Sequence, residues 1–288
     1  MTFFYILVFI GLLEAGIGKF SSLQDDFDEA ATDFGSFAHH LLAPTFVYGL
    51  IFAIGFALAP ESRGAFKDWP WFVWLPIFLI GEDMVQYWWH RLSHTKYGWR
   101  WHRTHHSAPY MGVRVTIRNN MFYTLFMPNV WVAAVFLFLG ADGFAGAYAL
   151  VKVLVVAAAH SELRWDRYLY RSKFLSPLAW IVERTISTPA THFAHHALSE
   201  SDGIGHCNGN FGNLLFFWDV LFGTALITRK YPAAFGVGND PVYGREPWLE
   251  QLFFPLIRAR RQASDRRPTF GGLWARPARA RKDRAQAA

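Results

Sequence analysis

Four stretches of this chain, Leu41 to Pro60, Pro70 to Trp89, Met121 to Leu139 and Gly143 to Ala159, are almost purely apolar. Each is close to the roughly 20 residues that a helix needs to cross a bilayer. Phe3 to Leu13 is a fifth, shorter run ending at Glu14. It has neither the basic flank nor the small-residue cleavage site of a signal peptide, so it reads as an interfacial helix or an incomplete span. Only 17% of the residues are charged, against about 25% in an average soluble domain. In lipid every backbone polar group must be satisfied within the segment, which leaves helices for runs of this length. The expected fold is all-α, an integral membrane helical bundle of four or five spans.

Charge and aromatic residues orient the bundle. Between Arg91 and Arg118 stand six Lys or Arg and no Asp or Glu, which places that segment on the cytoplasmic side by the positive-inside rule. The next two runs, joined by the short Gly140 to Gly143 turn, then form an out-and-back hairpin, and His160 returns to the face that holds His90. Trp69, Trp71, Trp88, Trp89, Trp99 and Trp101 cluster at the run ends, as an interfacial belt would.

The cytoplasmic segment is rich in imidazole: YWWHRLSHTKYGWRWHRTHHSAPY, Tyr87 to Tyr110, holds five histidines. His90 and His94 are i and i+4, and share one face of a helix. His102, His105 and His106 are i, i+3 and i+4, and the spacing repeats at His192, His195 and His196. Crowded imidazoles without a ligand would repel on protonation, because their ordinary pKa of about 6.5 lies near cellular pH. As neutral groups they are good ligands for iron, copper, zinc or nickel. Nine nitrogens exceed the roughly four that one tetrahedral zinc takes, and two ions at four or five ligands each would use them all. The single cysteine, Cys207, excludes an internal disulfide and a CxxC site.

Metal-bound histidines usually donate their second N–H to a carboxylate or carbonyl. Asp83, seven residues before His90, and Glu162, just after His160, are the expected carboxylates in that outer position. Glu82, Asp83 and Lys152 lie in or near apolar runs, where an ionisable group marks function by default, although Lys152 is expected to snorkel. His39 and His40 lack ligand spacing with the others and read as interfacial. His206 reads as an exposed loop residue.

DMVQYWWHRLSH, WHRTHHSAPY, HSE at His160 to Glu162, TPATHFAHH and NFGNLLFFWDVLFGT occur together in an order that resembles the membrane-bound fatty acid hydroxylase and sterol desaturase superfamily. The HHS, HSE and closing WDxLFGT look most like its bacterial and alkylglycerol monooxygenase branch. The resemblance covers about half the chain, from Asp83 to Thr224. It implies a di-iron centre on the cytoplasmic face of the bundle, in a histidine-rich helical cap, here held by His90, His94, His102, His105, His106, His160, His192, His195 and His196. It also implies dioxygen as co-substrate, a membrane lipid as substrate and the bacterial inner membrane as location. Asn210, Phe211 and Gly212 stand where the family carries Asn-Tyr-Gly.

Breaking an unactivated C–H bond needs an oxidant stronger than any side chain, which is the task of a redox metal. The expected reaction is hydroxylation or desaturation of a lipid acyl, alkyl or sterol-like chain. No flavin, nicotinamide, haem or iron–sulfur fingerprint accompanies the histidines, so electrons are expected from an external ferredoxin, cytochrome or reductase. The competing readings are a membrane di-zinc hydrolase, which would place carboxylates within the clusters, and a metal transporter, whose sites lie near the bilayer midplane. Residues 1–230 are expected to form the membrane-embedded oxygenase domain with its cap, and 231–288 a flexible basic tail. Arg258 to Ala288 carries +8 of a total net charge of +6, leaving −2 elsewhere. Such a tail suits anionic headgroups, and no nucleic-acid partner is expected, since no folded module accompanies the charge.

Overall fold

The computed structural model describes residues 2–17, 27–238, 240 and 245–258. Among these there is no strand, only an isolated bridge between Ala197 and Phe235. The helices are α1 (Thr2–Gly16), α2 (Phe27–Leu58), α3 (Trp71–Phe78), a π-helical segment (Leu79–Met84), α4 (Val85–Ser93), α5 (Trp99–His106), α6 (Met121–Leu125), α7 (Pro128–Leu139), α8 (Asp142–His160), α9 (Asp166–Arg171), α10 (Ser176–Thr185), α11 (Pro189–His195), α12 (Phe217–Phe222) and α13 (Trp248–Phe253). Three helical stretches, Phe27–Leu58, Met121–Leu139 and Asp142–His160, are long and apolar enough to cross a membrane. The expected run Pro70 to Trp89 is built as α3, the π segment and α4 in direct succession, and the short fifth run as α1.

Local chemistry sets the boundaries. Gly140 ends α7 in the left-handed region at φ +112°, where a Cβ would meet the Lys67 backbone nitrogen at 2.6 Å, and only glycine makes that close turn without strain. α8 therefore starts at Asp142 and runs back to His160. α11 opens on a capping box in which Thr188 accepts from Thr191 N, followed by Pro189 at the first helical position, the placement that a missing N–H favours. α2 begins 14 residues before the expected run, because its first turns bury polar groups: Glu29, Thr32, Asp33 and Ser36 are all buried.

A polar cluster lies inside the bundle. Lys152 Nζ donates to both Glu82 carboxylate oxygens at 2.6 Å and lies 3.5 Å from Asp83 Oδ1. Tyr148 donates to Glu82 at 2.7 Å and Asn129 at 2.9 Å. Asp83 accepts from Trp218 Nε1 at 2.8 Å and Leu215 N at 3.2 Å. Lys152 thus does not snorkel as expected, because a partner carboxylate lies within reach in the interior and satisfies its charge there. The tryptophan belt also divides. Trp71 is 65% exposed, whereas Trp99 is 7% exposed and packs against His94 and His106.

The C-terminal segment expected to be flexible has a docked part. Gln251 on α13 accepts at its carbonyl from Thr104 Oγ1 at 2.7 Å and at its side-chain oxygen from Ser107 Oγ at 2.6 Å. Arg103 pairs with Asp240 and with Glu246, and Arg100 with Glu246 and Glu250. These bonds clamp α13 onto the histidine-bearing α5. The strongly basic remainder, 259–288, lies outside the described residues.

Removing one partner from a buried ion pair leaves an uncompensated charge, at about 3–5 kcal/mol. Lys152→Met is therefore expected to lower the unfolding temperature in detergent clearly, and adding Glu82→Gln to recover part of the loss. Asp142→Ala, which breaks the surface pair of Arg63 with a carboxylate 57% exposed, should cost well under ~1 kcal/mol of stability and move the unfolding temperature little. Equal losses from Lys152→Met and Asp142→Ala would contradict the internal pair.

Candidate metal centre

The eight histidines of the spacing pattern and His160 meet in two adjoining groups. His90, His94, His102, His106 and His195 form one; His105, His160, His192 and His196 form the other. Within each, every candidate ligand nitrogen lies within 4.8 Å of the rest, and all nine residues are buried. The helical spacing accounts for the division. In each HxxHH the i and i+4 residues stay together, His102 with His106 and His192 with His196, while the i+3 residue swings to the other group. α5 and α11 thereby each supply both groups, and the rings of His106 and His196 stack across the boundary with centroids 4.3 Å apart.

The outer ring nitrogens fix the tautomers. The Nδ1–H of His90 donates to the Phe211 carbonyl at 2.7 Å, that of His195 to Gly209 at 2.7 Å, that of His105 to Arg118 at 3.1 Å and that of His160 to Val156 at 2.7 Å. A ring nitrogen facing a carbonyl must carry the hydrogen, so in a neutral imidazole the opposite nitrogen bears a lone pair. Yet His90 Nε2 lies 3.0 Å from His195 Nε2, and His105 Nε2 3.4 Å from His160 Nε2. Neither pair has a hydrogen left to share. Lone pairs aimed at each other in a dry interior repel, and a cation between them removes the repulsion.

Further Nε2 separations of 2.8 Å (His160 and His192), 3.1 Å (His192 and His196) and 3.2 Å (His102 and His106) have the same scale. Nitrogens each about 2.1 Å from one ion stand roughly 3.0–3.4 Å apart. The donor set therefore fits two metal ions, one per group. Protonation cannot substitute for them: burial first, and then the neighbouring imidazoles, hold His94, His102, His105, His106, His192, His195 and His196 well below the ordinary imidazole value, and burial brings His90 down to about 4.

The family model for fatty acid hydroxylases matches residues 75–224, a span that contains all nine histidines. The chain belongs to the fatty acid hydroxylase family. It is 27% identical to alkylglycerol monooxygenase of Xenopus tropicalis over 64% of this chain and 37% of the relative. The Danio rerio protein of that name is 27% identical over 67% and 40%, and the Homo sapiens one 27% identical over 54% and 31%. The match thus spans well under half the length of these curated relatives. No solved structure matches the chain.

The outer contacts of His90, His105, His160 and His195 are carbonyls, which sequence reasoning did not find. Asp83 bonds Trp218, Leu215 and Lys152, and Glu162 accepts from Arg164 at 2.9 Å; neither bonds an imidazole. The seven-residue offset from Asp83 to His90 would align them on an α-helix, but Asp83 sits in the π segment, whose wider turn carries it off that face. The carbonyls are held by other buried charges. Asp219 accepts from Phe211 N at 2.8 Å, Gly212 N at 2.6 Å and Thr224 Oγ1 at 2.6 Å, setting the turn whose Phe211 carbonyl orients His90. Burial pushes its carboxyl up to about 6. Arg118, fully buried, donates to Glu29 at 2.6 Å and Asp33 at 3.0 Å while its own carbonyl receives His105. WDxLFGT was the available signal for Asp219; nothing local marked Arg118.

His39 donates through Nε2 to the Asn119 carbonyl at 2.6 Å, and neither it nor His40 belongs to a group. His206, expected in an exposed loop, is half-buried and faces the Thr224 carbonyl at 3.1 Å.

Two outcomes follow. Loss of an outer-shell support commonly weakens metal binding 10–100-fold, so Asp219→Ala is expected to lower metal affinity by about that factor in an equilibrium titration, with Asp219→Asn in between. In chelator-stripped protein, imidazoles with depressed folded pKa values contribute stability that is present above their unfolded value of about 6.5 and is lost as pH falls below it, by up to about 1.4 kcal/mol per pH unit for each imidazole. The unfolding temperature should therefore drop steadily from pH 7 to pH 5. A flat profile would show the rings to be hydrated.

Proposed function

We propose that this chain is a membrane-bound di-iron oxygenase that hydroxylates or desaturates a lipid acyl, alkyl or sterol-like chain, using dioxygen and two electrons from an external ferredoxin, cytochrome or reductase. The observation that carries the proposal is the pairing of buried, tautomer-locked Nε2 lone pairs at His90 with His195 and at His105 with His160. Two iron ions bound there would supply the reduction of dioxygen to an oxidant capable of breaking a C–H bond. The histidines hold those ions without adding charge, and the carbonyls of Phe211, Gly209, Arg118 and Val156 keep the rings from rotating.

A cavity of about 190 Å³ borders both groups, touching His90 and His102 of one and His105 and His160 of the other. It continues between apolar side chains of the candidate spans, Met127, Val130, Val153 and Val156, where an alkyl chain stays out of water while one carbon reaches the histidine face. That the curated relatives are named monooxygenases supports oxygen insertion over the alternatives. A di-zinc hydrolase is disfavoured because neither group includes a carboxylate among the described residues. A transporter is disfavoured because the histidines gather at helix ends and on the short α5 and α11, beyond the long apolar helices.

In this reading the catalytic unit lies within 1–230. The excess of Lys and Arg between Arg91 and Arg118 argues for a cytoplasmic site in a bundle of four or five spans.

His105→Ala and His195→Ala, each removing one ligand from a different group, are expected to lower iron below two per chain and to abolish lipid oxidation, read by metal analysis and by a +16 or −2 mass shift in cell lipids. His39→Ala should leave both readouts nearly unchanged. Two tightly bound zinc ions and no response to dioxygen in the native protein would replace this proposal with the hydrolase.

A further inference from the structure

The cavity beside the histidines is not lined as a purely apolar tunnel would be. Buried polar atoms almost always find partners, yet four side-chain oxygens on its wall have none: Gln86 Oε1, Thr116 Oγ1, Asn119 Oδ1 and Asn129 Oδ1. Asn119 and Asn129 are each 5% exposed. For two of the four, the orientation of the amide is fixed by its other end. The Asn129 nitrogen donates to the Glu82 carboxylate at 2.9 Å, so the oxygen on the opposite side can only accept. The Gln86 nitrogen faces the Met127 thioether sulfur at 3.8 Å, again leaving the oxygen to accept. Lys152, the cation on the wall, is held by both oxygens of Glu82 at 2.6 Å, so it offers an anionic head no free countercharge.

From this we infer that Gln86, Asn119, Asn129 and Thr116 are specificity-determining residues that bind a neutral hydrogen-bond-donating group of the substrate, a hydroxyl or an amide N–H, inside the cavity. An alkane or an acceptor-only head such as an ether or ester leaves the amide oxygens unpaired, and the whole lost hydrogen bond then counts against binding. A donor-bearing lipid of the same length completes them. The inference rests on the oxygenase reading only in taking the cavity to be the substrate's.

The test is equilibrium binding to the full-length protein in nanodiscs, without reductant so that nothing turns over. It compares hexadecanol with hexadecyl methyl ether, which keeps the acceptor and lacks the donor. Hexadecanol is expected to bind about tenfold more tightly, the effect of roughly one hydrogen bond. In the double variant Gln86→Leu with Asn119→Leu its affinity should fall to that of the ether, while the ether's own affinity is unchanged and serves as the check on folding. Thr116→Val, close to isosteric, repeats the comparison where the double variant does not fold and should narrow the preference. Equal binding of alcohol and ether by the unaltered protein, or a preference that survives these substitutions, overturns the inference. Iron content measured on the same preparation separates the two readings: a two-iron protein with no alcohol preference sinks the specificity assignment alone, and an iron-free protein that keeps the preference sinks the oxygenase alone.

Discussion

Everything near the histidines depends on which ring nitrogen carries the hydrogen. Four carbonyls take the Nδ1–H of His90, His105, His160 and His195, and four lone pairs are thereby turned inward, in two pairs, with no proton between the members of either. In water this arrangement would relax by ring rotation or protonation. Here packing forbids rotation, and burial opposes protonation. The protein therefore holds a repulsive constellation in place, which is what a preorganised metal site is before its ion is considered.

Holding it requires support outside the ligands, and that support is ionic. Asp219 fixes the turn behind His90, and Arg118, gripped by Glu29 and Asp33 of α2, fixes the carbonyl behind His105. Glu14 ties α1 to the same region by accepting from Val113 N at 3.1 Å and Glu162 N at 2.9 Å. The first helix, the second helix and the docked α13 thus all converge on the loops around α5 and α8. The long helices carry the histidine-bearing loops and short helices, and these buried charges give that region one shape.

Periodicity made part of this legible from the sequence. The apolar runs at Met121 to Leu139 and Gly143 to Ala159 became candidate spans because their length alone suits a bilayer, and the turn between them, with Gly140 in the left-handed region, returned His160 to the face of His90. The i, i+4 and i, i+3, i+4 spacings found eight of the nine histidines, and the hairpin supplied His160. It did not show that each HxxHH would be divided between two groups, since that depends on how α5 and α11 face each other. Asp83 was misplaced for a definable reason: counting by sevens assumes an unbroken α-helix, and the π segment breaks the count. The carbonyl shell was invisible because every residue has a carbonyl. The docking of α13 was hidden by composition, as polar residues such as Gln251 and Glu246 read as solvent-exposed until buried partners are found for them.

An all-imidazole ligand set has an electrostatic consequence in this setting. Carboxylate ligands would neutralise two divalent ions directly, whereas neutral rings leave their charge to be balanced farther out. Lys152 lines the cavity beside the histidines, and Glu82 and Asp83 both pair with it. A negative excess inside a bundle would ordinarily be a fault, because charge is costly in low dielectric. Beside bound cations it would become attractive at the same low dielectric. The π segment that spoils the simple helical count is what brings these two consecutive acids together at Lys152.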